Sequence, residues 1–347
     1  VVEPEIFSCG ANVFTPAHIL TAAAFWGELD EHYMESRKRL LALMRAREEG
    51  IEISDEELQG RSERFRREFG LRTARATETW MAARGVTLDA FTDFLERDAA
   101  LAVCGGDPGR TSRKHPTRDR DTMAVLWPDA VFTGAGDGWS RRLAIRAAAA
   151  RDVAEGAGIP ASIFDTMGGD LSDGMLPWLE YFGLEVAWFN RLRVIDAAFA
   201  HFTSVVQTPA RLDSALRARW DALVAIDVEL GGFPNDSVAR EAFLCVSEDG
   251  MSLEEVCREA GGHYNQGGLL LGELPQAIRA QALSTPVGSL LPVFPWGESV
   301  VLCRLLGKSE PSLENPRTNE TVRAAVLDDA LQPLMDRHIA WAAGGGE

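Results

Sequence analysis

The chain has 347 residues, 46% apolar and 25% charged, which suits two or three compact folded units and excludes a disordered or fibrous chain. Its formal net charge of −17 disfavours nucleic acid or an anionic membrane as main partner. That charge suits a basic peptide, or simply a solvated acidic surface. The five cysteines, Cys9, Cys104, Cys245, Cys257 and Cys303, are odd in number, scattered and without a CxxC, so small core thiols are expected rather than a disulfide framework or structural zinc.

"VVEPEIFSCG" lacks a secretory signal pattern, and no uncharged apolar run reaches transmembrane length. A cytoplasmic location is therefore expected. "PAHILTAAAFW" begins a helix in which His18 is a structural residue near the start. The next stretch, "AAAFWGELDEHYMESRKRLLALM", carries Trp26, Leu29, Tyr33, Leu40 and Met44 at helical spacing on one face, with His32 beside it. In "ISDEELQGRSERFRREFGL", Ser54 and Glu57 form a capping-box pattern and Leu58, Phe65 and Phe69 an apolar stripe. Shorter helices follow in "TARATETWMAARG" and "TLDAFTDFLERDAAL", the second burying Phe91, Phe94 and Leu95.

The pattern breaks at "CGGDPGRTSRKHPTRDRD", where Arg110, Arg113, Lys114, Arg118 and Arg120 sit among glycines and prolines with no apolar face. A basic loop is expected there. Helices resume in "WSRRLAIRAAAARDVAEGAG", "LPWLEYFGLEVAWFNRLRVIDAAFAHFTSVV" and "TPARLDSALRARW", the last with Thr208 as cap and Pro209 at the first position. Neither "GAGDGW" nor "FDTMGGDLSDG" has ligand-binding spacing. The first lacks a Walker lysine; the second lacks the alternating oxygens of a calcium loop around Asp165, Asp170 and Asp173.

The apolar period then changes to two. "ALVAIDVEL" predicts a strand, and two short helices follow, in "DSVAREAFLCVSEDG" and in "SLEEVCREAGG" with Ser252 as cap. A Gly-rich turn, a helix near "LPQAIRAQAL" and a closing hairpin of "GSLLPVF" and "ESVVLCRLL" complete this region. "NETVRAAVLDDALQPLMDRHIAW" predicts a last helix with Val322, Val326, Leu334 and Trp341 inward, bent or divided at Pro333.

This order of elements resembles a parvulin domain, and the motifs carry the likeness. "QGGLLLGEL" is similar to the parvulin GGDLG segment. "STPVGSLLPVF" is similar to the P-G-x-x-x-P-V strand, with Pro286, Gly288, Pro292 and Val293. "PWGESVVLCRLLGK" is similar to the strand that carries G-[YF]-H-[IV]. The upstream helices and the last helix resemble those of SurA/PpiC-type peptidyl-prolyl isomerases and chaperones. The chain is most similar to the PpiC-related proteins proposed to act in maturation of ribosomally made peptides. The resemblance implies an α+β fold, a mainly helical SurA-like body with an inserted degenerate parvulin-like domain. The implied division is an N-terminal helical region at 1–103, a basic Gly-rich loop at 104–137, a second helical region at 138–219, the parvulin-like domain at 220–310 and a returning C-terminal helix at 311–347.

A parvulin lowers the rotation barrier about an X-Pro bond, about 18–20 kcal/mol for amides generally. The family uses two histidines on adjacent strands and a nearby cysteine or aspartate. Here Ser299 stands where the second histidine belongs, the first strand has no histidine and only Asp227 before Glu229, and the GGDLG aspartate is Leu269. The letters HIL at His18–Leu20 lie on the N-terminal helix and do not replace the first strand. The catalytic candidates left are His263, a versatile but isolated loop residue, and Ser299. His263, Tyr264 and Gln266 on the turn, with Phe294 and Trp296 on the hairpin, are the expected peptide-binding residues, although either aromatic could equally be core. The expected function is a chaperone-like protein binding a precursor or unfolded peptide, with maturation enzymes as further partners. The alternative is an enzyme acting on the bound peptide, by residual prolyl isomerisation or by recruited chemistry. No cofactor, metal, nucleic acid or membrane is expected.

Overall fold

The computed structural model describes residues 3–104, 119–156 and 176–342. The chain divides into two units, one of residues 1–204 with 330–347 and one of residues 205–329. Both helices and small antiparallel sheets are present, so the fold class is α+β.

The first unit opens with strands β1 (Phe7–Cys9) and β2 (Asn12–Phe14), then helices α1 (Pro16–Phe25), α2 (Leu29–Glu48), α3 (Asp55–Glu68), α4 (Ala74–Ala83), α5 (Leu88–Cys104), α6 (Asp119–Phe132), α7 (Ala135–Gly156), α8 (Leu176–Phe182) and α9 (Val186–Val206). Side-chain caps set several starts. Ser54 accepts from the Glu57 N–H at 3.2 Å and Thr73 from the Ala76 N–H at 3.1 Å, each satisfying a donor that the helix leaves free. His18 takes part in such a start too: its Nδ1 accepts the Thr15 N–H at 3.1 Å.

The core of this unit is aromatic, with Phe65, Trp80, Phe91, Phe94 and Phe132 packed ring on ring. A buried charge ladder crosses it. Asp129 on α6, fully buried, accepts from Arg97 on α5 at 2.6 Å and lies 3.7 Å from Arg39 on α2. Arg39 and Arg61 on α3 both reach Asp98. Buried charges persist only when paired in this way.

The expected basic loop at 104–137 differs from the structure in its second half, where α6 runs from Asp119 to Phe132. Its apolar residues Leu126, Trp127, Ala130 and Val131 are buried, and that burial outweighs the polar start that suggested a loop. Arg110, Arg113, Lys114 and Arg118 lie outside the described residues, as do Asp165, Asp170 and Asp173. "GAGDGW" opens α7, where Asp137 holds Arg84 by a bidentate pair at 2.8 and 2.9 Å.

The second unit contains α10 (Pro209–Ala218), β3 (Ala225–Phe233), α11 (Asp236–Ser247), α12 (Leu253–Glu259), β4 (His263–Leu270), α13 (Gln276–Ser284), β5 (Phe294–Trp296) and β6 (Ser299–Ser309). Thr208, Asn235 and Ser252 cap α10, α11 and α12. The four strands form one antiparallel sheet in the order β4-β3-β6-β5. Alternation along β3 builds a core on each face. Ile226 and Val228 pack with Cys303, Leu305, Phe294 and the α13 residues Ile278 and Ala282. Phe233 packs with Leu302 and with Ala239, Ala242, Leu253 and Val256 of α11 and α12.

Two expectations change here. The Gly-rich turn is strand β4 from His263 onward, its ladder to β3 unbroken across eight residues. The hairpin arm "GSLLPVF" is strand only from Phe294, with Leu290 making a single bridge to Arg304, because Pro292 has no N–H for a ladder.

Helix α14 (Pro316–His338) is continuous through Pro333. Proline inside a helix costs about 3 kcal/mol, comparable with burying two leucine side chains, and Leu331 and Leu334 on either side are both buried. Val322 and Val326 are buried and fall in the second unit, whereas Leu334, also buried, falls in the first. The chain then forms β7 (Ile339–Trp341), which pairs with β1 to give a three-stranded sheet in the order β2-β1-β7. The strands of this sheet have three residues each, too few to show a period of two in sequence.

Candidate functional site

The site candidates fall on the sheet of the second unit, and its register decides which of them meet. Residues directly opposite each other in an antiparallel pair share a face. His263 on β4 is opposite Gly232 on β3, Gly232 is opposite Val301 on β6, and Val301 is opposite Phe294 on β5. Ser299 and Trp296 pair in the adjacent row and share that face. His263, Ser299, Phe294 and Trp296 therefore share one face of the sheet, with Phe294 in the core that α13 helps to form there.

Gly232 leaves a hollow in this surface. A Cβ there would lie 3.8 Å from the Ser299 Oγ and 3.9 Å from the His263 carbonyl oxygen. The Phe294 and Trp296 rings stand 6.2 Å apart at 31°, Phe294 buried and Trp296 half-buried. The result is an aromatic wall beside a shallow polar hollow, with His263 exposed at its rim.

Tyr264 and Gln266 point the other way. They are opposite Gly231 and Glu229, on the face covered in part by α11 and α12. The Tyr264 hydroxyl donates to Glu229 Oε1 at 3.0 Å and lies 3.4 Å from Gln266 Oε1. Arg304 donates to Glu229 Oε2 at 3.1 Å. Desolvation, then the Glu229 hydrogen bond and charge, raise the Tyr264 phenol, which keeps it a donor. Sequence reasoning did not single out Glu229 and Arg304. Their only signal is the register that sets Glu229 between Gln266 on one side and Arg304 on the other.

Asp227 occupies the same face near the opposite end of β3. It is exposed and flanked by Gly268 on β4 and Gly307 on β6. A Cβ at Gly307 would lie 2.9 Å from one of its carboxylate oxygens, and one at Gly268 3.5 Å from the other. No hydrogen bond or ion pair engages this carboxylate among the described residues.

No hydrogen bond joins His263 to Ser299 among the described residues, so no nucleophile–base pair is assembled. The Cys303 thiol, deep in the sheet, is pushed up to about 12 by burial and stays protonated. Among the described residues no three His, Cys, Asp or Glu side chains converge to hold a metal ion, and no helix is long and apolar enough to cross a membrane. What the sheet offers is contact area, hydrogen-bond donors and acceptors, and an unengaged carboxylate.

The first unit has a cavity of about 160 Å³ between its small sheet and α7 and α9, lined by Cys9, Asn12, Phe14, Arg151, Glu155 and Arg191 among others. Arg151 donates to Glu155 at 2.8 Å. Gly10, at φ +61°, makes the β1–β2 turn, and a Cβ there would lie 1.5 Å from the Arg151 guanidinium. Burial pushes the Cys9 thiol up to about 11, which removes it as a nucleophile near neutral pH.

No protein-family model matches the sequence, and no curated protein matches it. Solved structures give low-scoring likenesses. The peptidylprolyl isomerase PrsA of Bacillus anthracis is 14% identical, with 54% of this chain and 86% of that chain covered and a TM-score of 0.31. The foldase protein PrsA of Streptococcus pneumoniae is 11% identical, with 62% and 87% covered and a TM-score of 0.29. Likeness at this level carries no conclusion about activity.

Proposed function

We propose that the second unit binds an unfolded or extended peptide and holds it without isomerising it. The observation that carries this reading is the shared face of His263, Ser299, Phe294 and Trp296 around the hollow at Gly232. The half-buried Trp296, backed by the buried Phe294, supplies contact area at low entropy cost, and a polar rim suits a peptide backbone. The missing parvulin histidines and the lack of a hydrogen-bonded base at Ser299 favour holding over catalysis. The motif resemblance of the strands supports a chaperone-like role. It is also the support for the narrower reading: a precursor peptide of ribosomal origin, presented to maturation enzymes in the cytoplasm.

The test uses a capped fluorescent peptide in which valine and threonine alternate around a central lysine, read by fluorescence polarisation. Truncating an anchor aromatic costs about 2 kcal/mol, so Trp296→Ala should weaken binding roughly thirtyfold. Unchanged affinity in a folded Trp296→Ala variant overturns the placement of the peptide on this face.

A further inference from the structure

Strand β4 is an outer strand of the four-stranded sheet, and its backbone phase can be worked out. The Leu271 N–H, just past its end, donates to the Val224 carbonyl at 2.9 Å. Antiparallel hydrogen-bonded pairs recur every second residue, so His263, Asn265, Gly267 and Leu269 bond toward β3. Tyr264, Gln266 and Gly268 then present their N–H and C=O groups outward. Two side-chain contacts agree with this phase: the Leu270 N–H donates to Glu273, and the Gly268 carbonyl accepts from Arg317. The outward N–H and C=O of Tyr264 and Gln266, and the Gly268 N–H, have no partner among the described residues.

Natural edge strands are blunted by proline, lysine, bulges or shortness. β5, on the other side of the sheet, has three residues and contains Pro295. β4 has eight residues, "HYNQGGLL", without proline, lysine or a shift of register. Its exposed side therefore keeps the form of a strand-pairing template. Charge then chooses among occupants. A strand added to β4 lies two strand spacings from β3, about 10 Å. Gly268 puts no side chain between that strand and the unpaired Asp227 carboxylate. A lysine or arginine opposite Gly268 can reach across the glycine and meet Asp227, in a chain whose net charge is −17.

We propose that β4 docks an extended basic peptide as a fifth strand, with its backbone paired to Tyr264, Gln266 and the Gly268 N–H, beside the Arg317 that holds the Gly268 carbonyl, and with a cationic side chain laid over Gly268 onto Asp227. This rests on the reading that the second unit holds an extended peptide, and it seats a separate stretch of that peptide on β4, at the opposite side of the sheet from Trp296 on β5 and reaching the other face at Asp227.

The experiment uses the full chain and the valine–threonine–lysine peptide of the preceding section. Two further copies of the peptide carry N-methyl groups on one or the other set of alternate amides, and a third has glutamate for lysine. One methylated copy should bind at least about tenfold more weakly, since it loses more than one backbone hydrogen bond. The glutamate peptide should bind about two- to fivefold more weakly at low salt, and Asp227→Asn should erase that preference. Gln266→Pro, which removes an outward N–H without touching the ladder to β3, should weaken the lysine peptide at least about fivefold. Should that variant misfold, the methylated peptides still decide. Equal affinity of both methylated copies and the parent overturns the edge, and equal affinity of the lysine and glutamate peptides overturns the role of Asp227. Dimerisation in sedimentation that excludes the peptide and is dispersed by Gln266→Pro makes a second copy the occupant, and likewise overturns the proposal. If Trp296→Ala abolishes binding while every edge probe binds normally, peptide binding stands and the edge does not. No binding by the parent peptide removes both.

Discussion

His18 is surrounded on the first unit by Phe14 and by the Trp188 ring, whose centroid is 4.2 Å away. Burial, with the Arg191 charge added, lowers its pKa from an ordinary 6.5 to about 4. Its neutral Nδ1 is needed to accept the Thr15 N–H. As pH falls below about 6.5 the unfolded chain takes up this proton first, so the folded state loses stability down to about 4, by roughly 3 kcal/mol in all. Above pH 6.5 the contribution to stability is complete. Denaturant unfolding at pH 7 and pH 4.5 should show this loss in the parent protein and a smaller one in His18→Gln; equal losses in both would remove His18 as its source. The sequence already placed His18 at a helix start, because Pro16 and Thr15 signal one. It could not separate Tyr264 and Gln266 from His263. That division comes from the pleat of β4, and a segment rich in glycine and polar residues shows no alternation from which a pleat can be inferred.

At the scale of elements, the long helices and the strands β3 and β6 were legible because their apolar residues recur over many positions and because Ser54, Thr208 and Ser252 mark helix starts. The three-residue strands were not. Their pairing is decided by distant partners: Phe7 lies opposite both Phe14 and Trp341, stacking on the first ring at 4.4 Å and tilting against the second at 5.4 Å. Phe7 is fully buried between them. A chain ending at His338 loses β7 and one wall of this stack. Its first unit should be destabilised by roughly 3 kcal/mol or more, the scale of other large apolar losses. Thermal unfolding followed by aromatic circular dichroism measures this, and an unchanged midpoint would show that β7 adds nothing.

At the scale of the molecule, the fold class follows from the change of apolar period near residue 224, while the functional reading turns on what is missing from one face of one sheet. With Ser299 and Leu269 at two positions where the motif resemblance to parvulins implies polar groups, and no histidine on β3, the protein should not accelerate proline-limited refolding of a test substrate. Acceleration that His263→Ala abolishes would restore the enzymatic alternative. The two units also differ in how the chain composes them. Residues 205–329 are one continuous stretch, whereas the other unit joins β1 to β7 across more than 300 intervening residues. A chain emerging from the ribosome presents its earlier segments first, and contacts distant in sequence must wait for their partner. The unit with the four-stranded sheet can thus reach its final form while the other still lacks a strand, with the Phe7 ring open on the side that Trp341 will cover. During synthesis the four-stranded sheet is complete before the ring stack around Phe7 is closed.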